Sequence, residues 1–134
     1  MANELYQKQI IELARESRKR ARIDTPDPTI RFDNPLCGDR IDLDFSIEDG
    51  RISDIGFKVR GCALCEASSE LLAQNANGYQ LQELNTVGNK LSDYLVGKIE
   101  NPDWEGFEVF EPVKSVPPRH ECVLLPFNAI KKAI

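Results

Sequence analysis

At 134 residues, with 41% hydrophobic and 29% charged side chains, the chain suits one globular domain over residues 1–134 and neither a fibrous nor a disordered protein. Seventeen basic residues against twenty-two acidic ones leave a formal charge of -5, which argues against a general nucleic-acid binder that relies on phosphate neutralisation. No apolar run approaches the roughly 20 residues that span a bilayer and no hydrophobic signal segment leads the chain, so a cytoplasmic protein with neither a nucleic acid nor a membrane as partner is expected.

Residues 4–22 place Tyr6, Ile10, Leu13 and Ala14 on one face among charged neighbours, which predicts an amphipathic helix. Arg18, Lys19, Arg20 and Arg22 crowd its end, where cations complement the helix dipole; a docking patch is the other reading. Pro26 and Pro28 break the helix and lead into Thr29–Phe32. Ile41, Leu43, Phe45 and Ile47 alternate with Asp42, Asp44 and Ser46, predicting a strand with one buried and one wet face. Asp49-Gly50 turns the chain into a second strand through Ile52, Ile55, Phe57 and Val59, and the uneven spacing between 52 and 55 suggests a bulge.

A helix is predicted over Ala67–Ala76, stopped by Asn77-Gly78, and another over 81–96. Residues 101–106 form an irregular connection, Pro117-Pro118 interrupts regular structure, and a last helix runs from about Leu124 to Ile134 with Pro126 near its start. Helix, hairpin, then mostly helices make an α+β domain: a small antiparallel sheet with helices packed on one face.

Four cysteines without a secretory signal read as thiols, metal ligands or redox groups. Cys37 precedes the first hairpin strand, Cys62 follows the second, and Cys122 precedes the last helix, so a compact fold can gather them at one end of the sheet. Cys37, Asp39, Cys62 and Cys122 would make a complete tetrahedral set of three sulfurs and one oxygen for zinc, and thiolates equally suit an iron-sulfur cluster. One CxxC and two remote cysteines leave buried structural thiols as an equal alternative.

Three stretches carry a resemblance: Asn34-Pro35-Leu36-Cys37-Gly38-Asp39-Arg40-Ile41, Phe57-Lys58-Val59-Arg60-Gly61-Cys62 with Ala67-Ser68-Ser69, and Cys122 with Ala129-Ile130-Lys131. The chain resembles the U-type iron-sulfur cluster assembly proteins (the NifU N-terminal domain, IscU and SufU) over nearly its whole length. The long spacing from Cys62 to Cys122, with an insertion around 85–115, is similar to SufU-like members. The resemblance implies an α+β fold, metal binding at Cys37, Asp39, Cys62 and Cys122, and sulfur acceptance at Cys122, with Arg119 placed to stabilise its thiolate. It also implies a cysteine desulfurase and recipient apo-proteins as partners, and zinc or a transient iron-sulfur cluster as the bound group.

Two functions follow from the resemblance. One is a scaffold that accepts sulfur, builds a cluster and passes it on. The other is a zinc-dependent sulfurtransferase partner of a desulfurase that holds no cluster. A structural zinc module that only mediates interactions is the third. IscU-like members carry histidine directly before the last cysteine, where this chain has Glu121 with His120 ahead of it. His120 reads as a surface or hydrogen-bonded imidazole, and Asp39 has a turn-closing role as its structural alternative. Cys65 lies outside the implied ligand set and reads as a small buried residue, with sulfur relay or a disulfide to Cys62 as the alternative.

Overall fold

The computed structural model describes residues 2–35 and 38–134. Its elements are α1 (Ala2–Ser17), β1 (Thr29–Asp33), β2 (Arg40–Glu48), β3 (Arg51–Arg60), α2 (Ala63–Asn75), α3 (Leu81–Leu95), two 3-10 turns at Phe107–Ser115 and Pro117–Arg119, and α4 (His120–Ala133). The three strands form one antiparallel sheet in the order β1-β2-β3. The α+β reading stands, with Thr29–Phe32 now the core of an edge strand. No helix among the described residues is long and apolar enough to cross a membrane.

The period of two in β2 sends Ile41, Leu43 and Phe45 inward, where each is fully buried. Pairing runs Phe45↔Ile55 and Ser46↔Asp54 but then Ile47↔Ile52, so Ser53 is the extra residue of the bulge that the spacing of isoleucines predicts. α2 and α4 cover the inner face, α3 packs on α4, and α1 packs on α2 and the first 3-10 turn. Leu72, Leu84, Leu91, Leu95, Phe107, Leu125 and Ile130 complete the core.

Ile47, expected on the buried face with Ile41, Leu43 and Phe45, is exposed beyond the bulge, and three other local expectations change. The first helix stops at Ser17 rather than residue 22, because the arginines beyond it are tied to carboxylates elsewhere. Arg18 grips Glu66 at 2.9 Å through two nitrogens, and Arg20 grips Glu70 at 3.0 and 2.9 Å. Arg22 grips Asp44 at 2.7 and 2.9 Å. Such forked pairs outweigh the small gain of another helical turn. Asp44 is fully buried rather than wet, since the segment after α1 crosses the outer face of the sheet. That crossing needs Gly56, where a Cβ would stand 2.5 Å from the Ala21 carbonyl oxygen. Finally, α2 begins at Ala63 and α4 at His120, four residues ahead of the predicted starts. Cys122 therefore lies inside the first turn of α4 rather than before it.

Candidate metal-thiolate site

Antiparallel register builds the first half of the site. Arg40 pairs with Arg60, so the residue before β2, Asp39, lies beside the residue after β3, Gly61. A Cβ on Gly61 would come within 3.1 Å of Asp39 Oδ1 and 3.0 Å of Cys65 Sγ. Glycine at this strand-to-helix junction lets the carboxylate and the thiol approach. The chain around Asp39 is closed by backbone bonds, from Asn34 N–H to Asp39 O at 2.8 Å and from Gly38 N–H to Asn34 O at 2.9 Å. Gly38 supplies the positive φ of 73° that the turn requires. Cys37, the fourth residue of the implied ligand set, lies outside the described residues.

Two helix starts build the second half. Cys62 is the extended N-cap of α2, and Cys65 follows in the first turn. Cys122 occupies the first turn of α4, which Ser68 Oγ holds against α2 by donating to the Val123 carbonyl. Each helix N-terminus brings a partial positive charge to a thiolate.

The resulting cluster is tight. The sulfurs of Cys62, Cys65 and Cys122 all lie within 4.8 Å of one another. Cys62 Sγ is 3.8 Å from Cys65 Sγ, and Asp39 Oδ2 lies 3.3 Å from Cys65 Sγ and 3.6 Å from Cys122 Sγ. Cys65 and Cys122 are buried while Cys62 is half-buried. A tetrahedral ion with sulfur at about 2.3 Å and oxygen at about 2.1 Å spaces its sulfurs about 3.8 Å apart and a sulfur and an oxygen about 3.6 Å apart. The donor set suits one thiophilic divalent ion, the Cys62–Cys65 and Asp39 separations matching these spacings with Cys122 within 4.8 Å of the other two sulfurs.

The thiols are electrically unequal. Cys62 is held down to about 5 by the hydrogen bond from Cys65, against its partial burial and with help from the Cys65 and Leu64 amides. The same hydrogen bond pushes Cys65 upward, and burial and the charges of Cys62 and Cys122 add to it. Cys122 is pushed up to about 12 by burial first and then by Cys62 and Asp39.

Of the residues singled out from sequence, the fold brings together Asp39, Cys62 and Cys122. Arg119 stands apart: its side chain is exposed and, among the described residues, makes no hydrogen bond or ion pair. It lines an apolar groove with Ile11, Leu64 and Val116. His120 Nε2 faces the Val113 and Lys114 carbonyls at 3.0 and 3.3 Å, in keeping with a hydrogen-bonded imidazole, and Glu121 accepts from Asn128. The Asp39 side chain faces thiols instead of closing its own turn. Cys65 is fully buried, as expected, yet its sulfur points into the cluster. The CxxC spacing was its sequence signal, because residues i and i+3 at a helix start share a side. Gly61 carried no signal beyond its place before Cys62.

Comparison with known proteins agrees with this construction. Residues 5–134 match the family described as NifU-like N terminal domain. The iron-sulfur cluster assembly scaffold protein IscU of Streptococcus pyogenes serotype M1 is 28% identical over 98% of this chain and 84% of its own. The zinc-dependent sulfurtransferase SufU of Bacillus subtilis is 27% identical over 78% of this chain and 73% of its own. The crystal structure of a NifU-like N-terminal protein from Brucella abortus superposes with a TM-score of 0.79 at 30% identity, covering 92% of this chain and 87% of that one. Since the matched region takes in Asp39 and every clustered cysteine, the chain belongs to the NifU-like N-terminal domain family.

Proposed function

We infer that the protein works in iron-sulfur cluster assembly, accepting sulfur from a cysteine desulfurase and holding a transient cluster as cargo for recipient apo-proteins. The observation that carries this reading is the convergence of three thiols and the Asp39 carboxylate within one pocket, in a chain of this family. Thiolates bind iron firmly, whereas a carboxylate is a harder and more exchangeable donor that leaves the cargo easier to release. Cys37 joins the set by its place in the sequence, two residues before Asp39. In this reading Cys122 is the sulfur acceptor, and Arg119, whose side chain lies exposed on the turn leading into α4, would have to turn toward the pocket to steady its thiolate when the partner docks. Sulfur chemistry of this kind needs thiols kept reduced, which supports a cytoplasmic location.

A specific observation favours a second reading. The 3.8, 3.3 and 3.6 Å separations fit a single tetrahedral ion, as expected of a zinc-dependent sulfurtransferase partner of the desulfurase. Zinc would be held by thiols of the cluster with Asp39, and it would keep Cys122 as a thiolate at neutral pH. Anaerobic mixing with desulfurase, cysteine and ferrous iron separates the two. A scaffold develops a visible-absorbing cluster that transfers to an apo-ferredoxin. A zinc-dependent acceptor keeps about one zinc per chain by metal analysis, stimulates desulfurase turnover and forms no cluster. In either case Cys37→Ser, Cys62→Ser and Cys122→Ser lose most of the bound metal, and full occupancy in all three removes the site.

A further inference from the structure

We propose that Cys62 and Cys65 form a dithiol pair that reduces sulfane sulfur delivered to the pocket to sulfide, ending as a Cys62–Cys65 disulfide. This deepens the cluster-assembly reading and rests on it for the arrival of sulfur.

The two thiols flank the first turn of α2, and both are free. Their sulfurs lie 3.8 Å apart, close to van der Waals contact, and a disulfide requires them to close to about 2.05 Å. Their exposure differs in the way a two-step exchange requires. Cys62 is open enough to receive sulfur, while Cys65 is fully buried and reaches nothing from solution. Its sulfur also lies 3.3 Å from Asp39 Oδ2, which helps to seat it beside Cys62. A third sulfur, that of Cys122, stands within 4.8 Å of both. Sulfur that arrives on Cys122 therefore has an adjacent cysteine sulfur to accept it.

The chemistry balances without a reagent from outside the pocket. The Cys62 thiolate attacks the outer sulfur of a Cys122 persulfide, giving a Cys62 persulfide and a Cys122 thiolate. The Cys65 thiol then attacks Cys62 Sγ. The Cys62–Cys65 bond forms, the sulfur–sulfur bond of the persulfide breaks, and hydrosulfide leaves with the proton of Cys65. The sulfane sulfur gains two electrons and the two cysteines lose them. A cluster needs sulfide, two electrons more reduced than sulfane sulfur, so the pair supplies the step between delivery and assembly. Each chain does this once, and an external dithiol then reopens the disulfide.

The test uses the reduced full-length protein under anaerobic conditions, without added reductant, and two sulfur sources: a cysteine desulfurase with cysteine, and glutathione persulfide alone. Released sulfide is measured by methylene blue, and protein sulfur by intact mass and peptide mapping. The wild-type chain is expected to release about one sulfide as it gains the Cys62–Cys65 cross-link. Cys65→Ser, which retains a polar contact to Asp39, should keep the added sulfur and release sulfide on the order of tenfold more slowly. Cys65→Ala should do the same, with circular dichroism confirming both folds. Sulfane sulfur that persists on the wild-type chain as long as on the variants overturns the inference, as does sulfide release without the cross-link. If glutathione persulfide yields sulfide and cross-link while the desulfurase delivers nothing, the dithiol pair stands and the desulfurase reading falls.

Discussion

Two buried aspartates divide the molecule. Asp44 lies under the outer strap of the sheet, fully buried, and its charge is matched: Arg22 grips it through two nitrogens, Thr29 donates its hydroxyl, and the Ile23 amide donates at 3.2 Å. Burial opposes its ionisation, yet these partners hold it below the usual carboxylate range. Asp39 is almost as buried, at 9% exposure. Its side-chain neighbours are the weak donors Cys65 and Cys122, and among the described residues no ion pair reaches it. A buried carboxylate with a guanidinium is a structural brace. A buried carboxylate among thiols has only weak donors beside it.

The largest contrast is drawn by changing each aspartate. Asp44→Ala should cost about 2–3 kcal/mol in urea unfolding, because Arg22 and the Ile23 amide lose their acceptor. The half-exposed Arg22 keeps the cost below that of a fully buried pair. Metal content should not change. Asp39→Ala should leave the metal-free protein within about 1 kcal/mol of wild type while weakening zinc about tenfold or more. Equal effects of the two substitutions on both measurements would erase the distinction.

The glycines of the two regions sharpen it further. Gly56→Ala forces a Cβ against the Ala21 carbonyl at 2.5 Å, a backbone contact that only a shift of the strap relieves, and about 2 kcal/mol of stability should be lost. Gly61→Ala meets side-chain atoms at 3.0–3.2 Å, which can yield. Its stability loss should stay below about 1 kcal/mol, with most of the effect seen as weaker metal binding. Thermal unfolding with and without zinc measures both.

The smallest effect concerns the thiols. A group held down to about 5 stays ionised as pH falls from 9 to 6. Alkylation of Cys62 by iodoacetamide in metal-free protein should therefore be nearly flat over that range and fall only below about pH 5. Its thiolate is less nucleophilic than an ordinary one, so the net advantage over a free cysteine at pH 6 is about tenfold. Cys122, pushed up to about 12, should remain unmodified throughout. Peptide mapping that finds Cys62 alkylated with an ordinary thiol profile would show the Cys65 hydrogen bond to be without effect.

Much of this was open to reading along the chain. Alternation at Ile41, Leu43 and Phe45 identified the inner face of β2, Asn77-Gly78 marked the end of α2, and the spacing of Ile52 and Ile55 announced the bulge. These are local patterns, repeated within one element, and they need no knowledge of what packs where. The motif around Asp39, Cys62 and Cys122 likewise identified the family and its chemistry. Tertiary structure alone decided that Asp44 is buried and that Arg18, Arg20 and Arg22 serve as braces, and it chose between the two readings of Cys65 that the CxxC spacing left open. The contacts responsible join residues far apart in sequence: 22 positions separate Arg22 from Asp44, 26 separate Asp39 from Cys65, and 83 separate Asp39 from Cys122. Periodicity reports which face of an element is apolar. Which polar groups meet behind that face is set by register and helix packing, and those are properties of the assembled sheet and helices rather than of any segment within them.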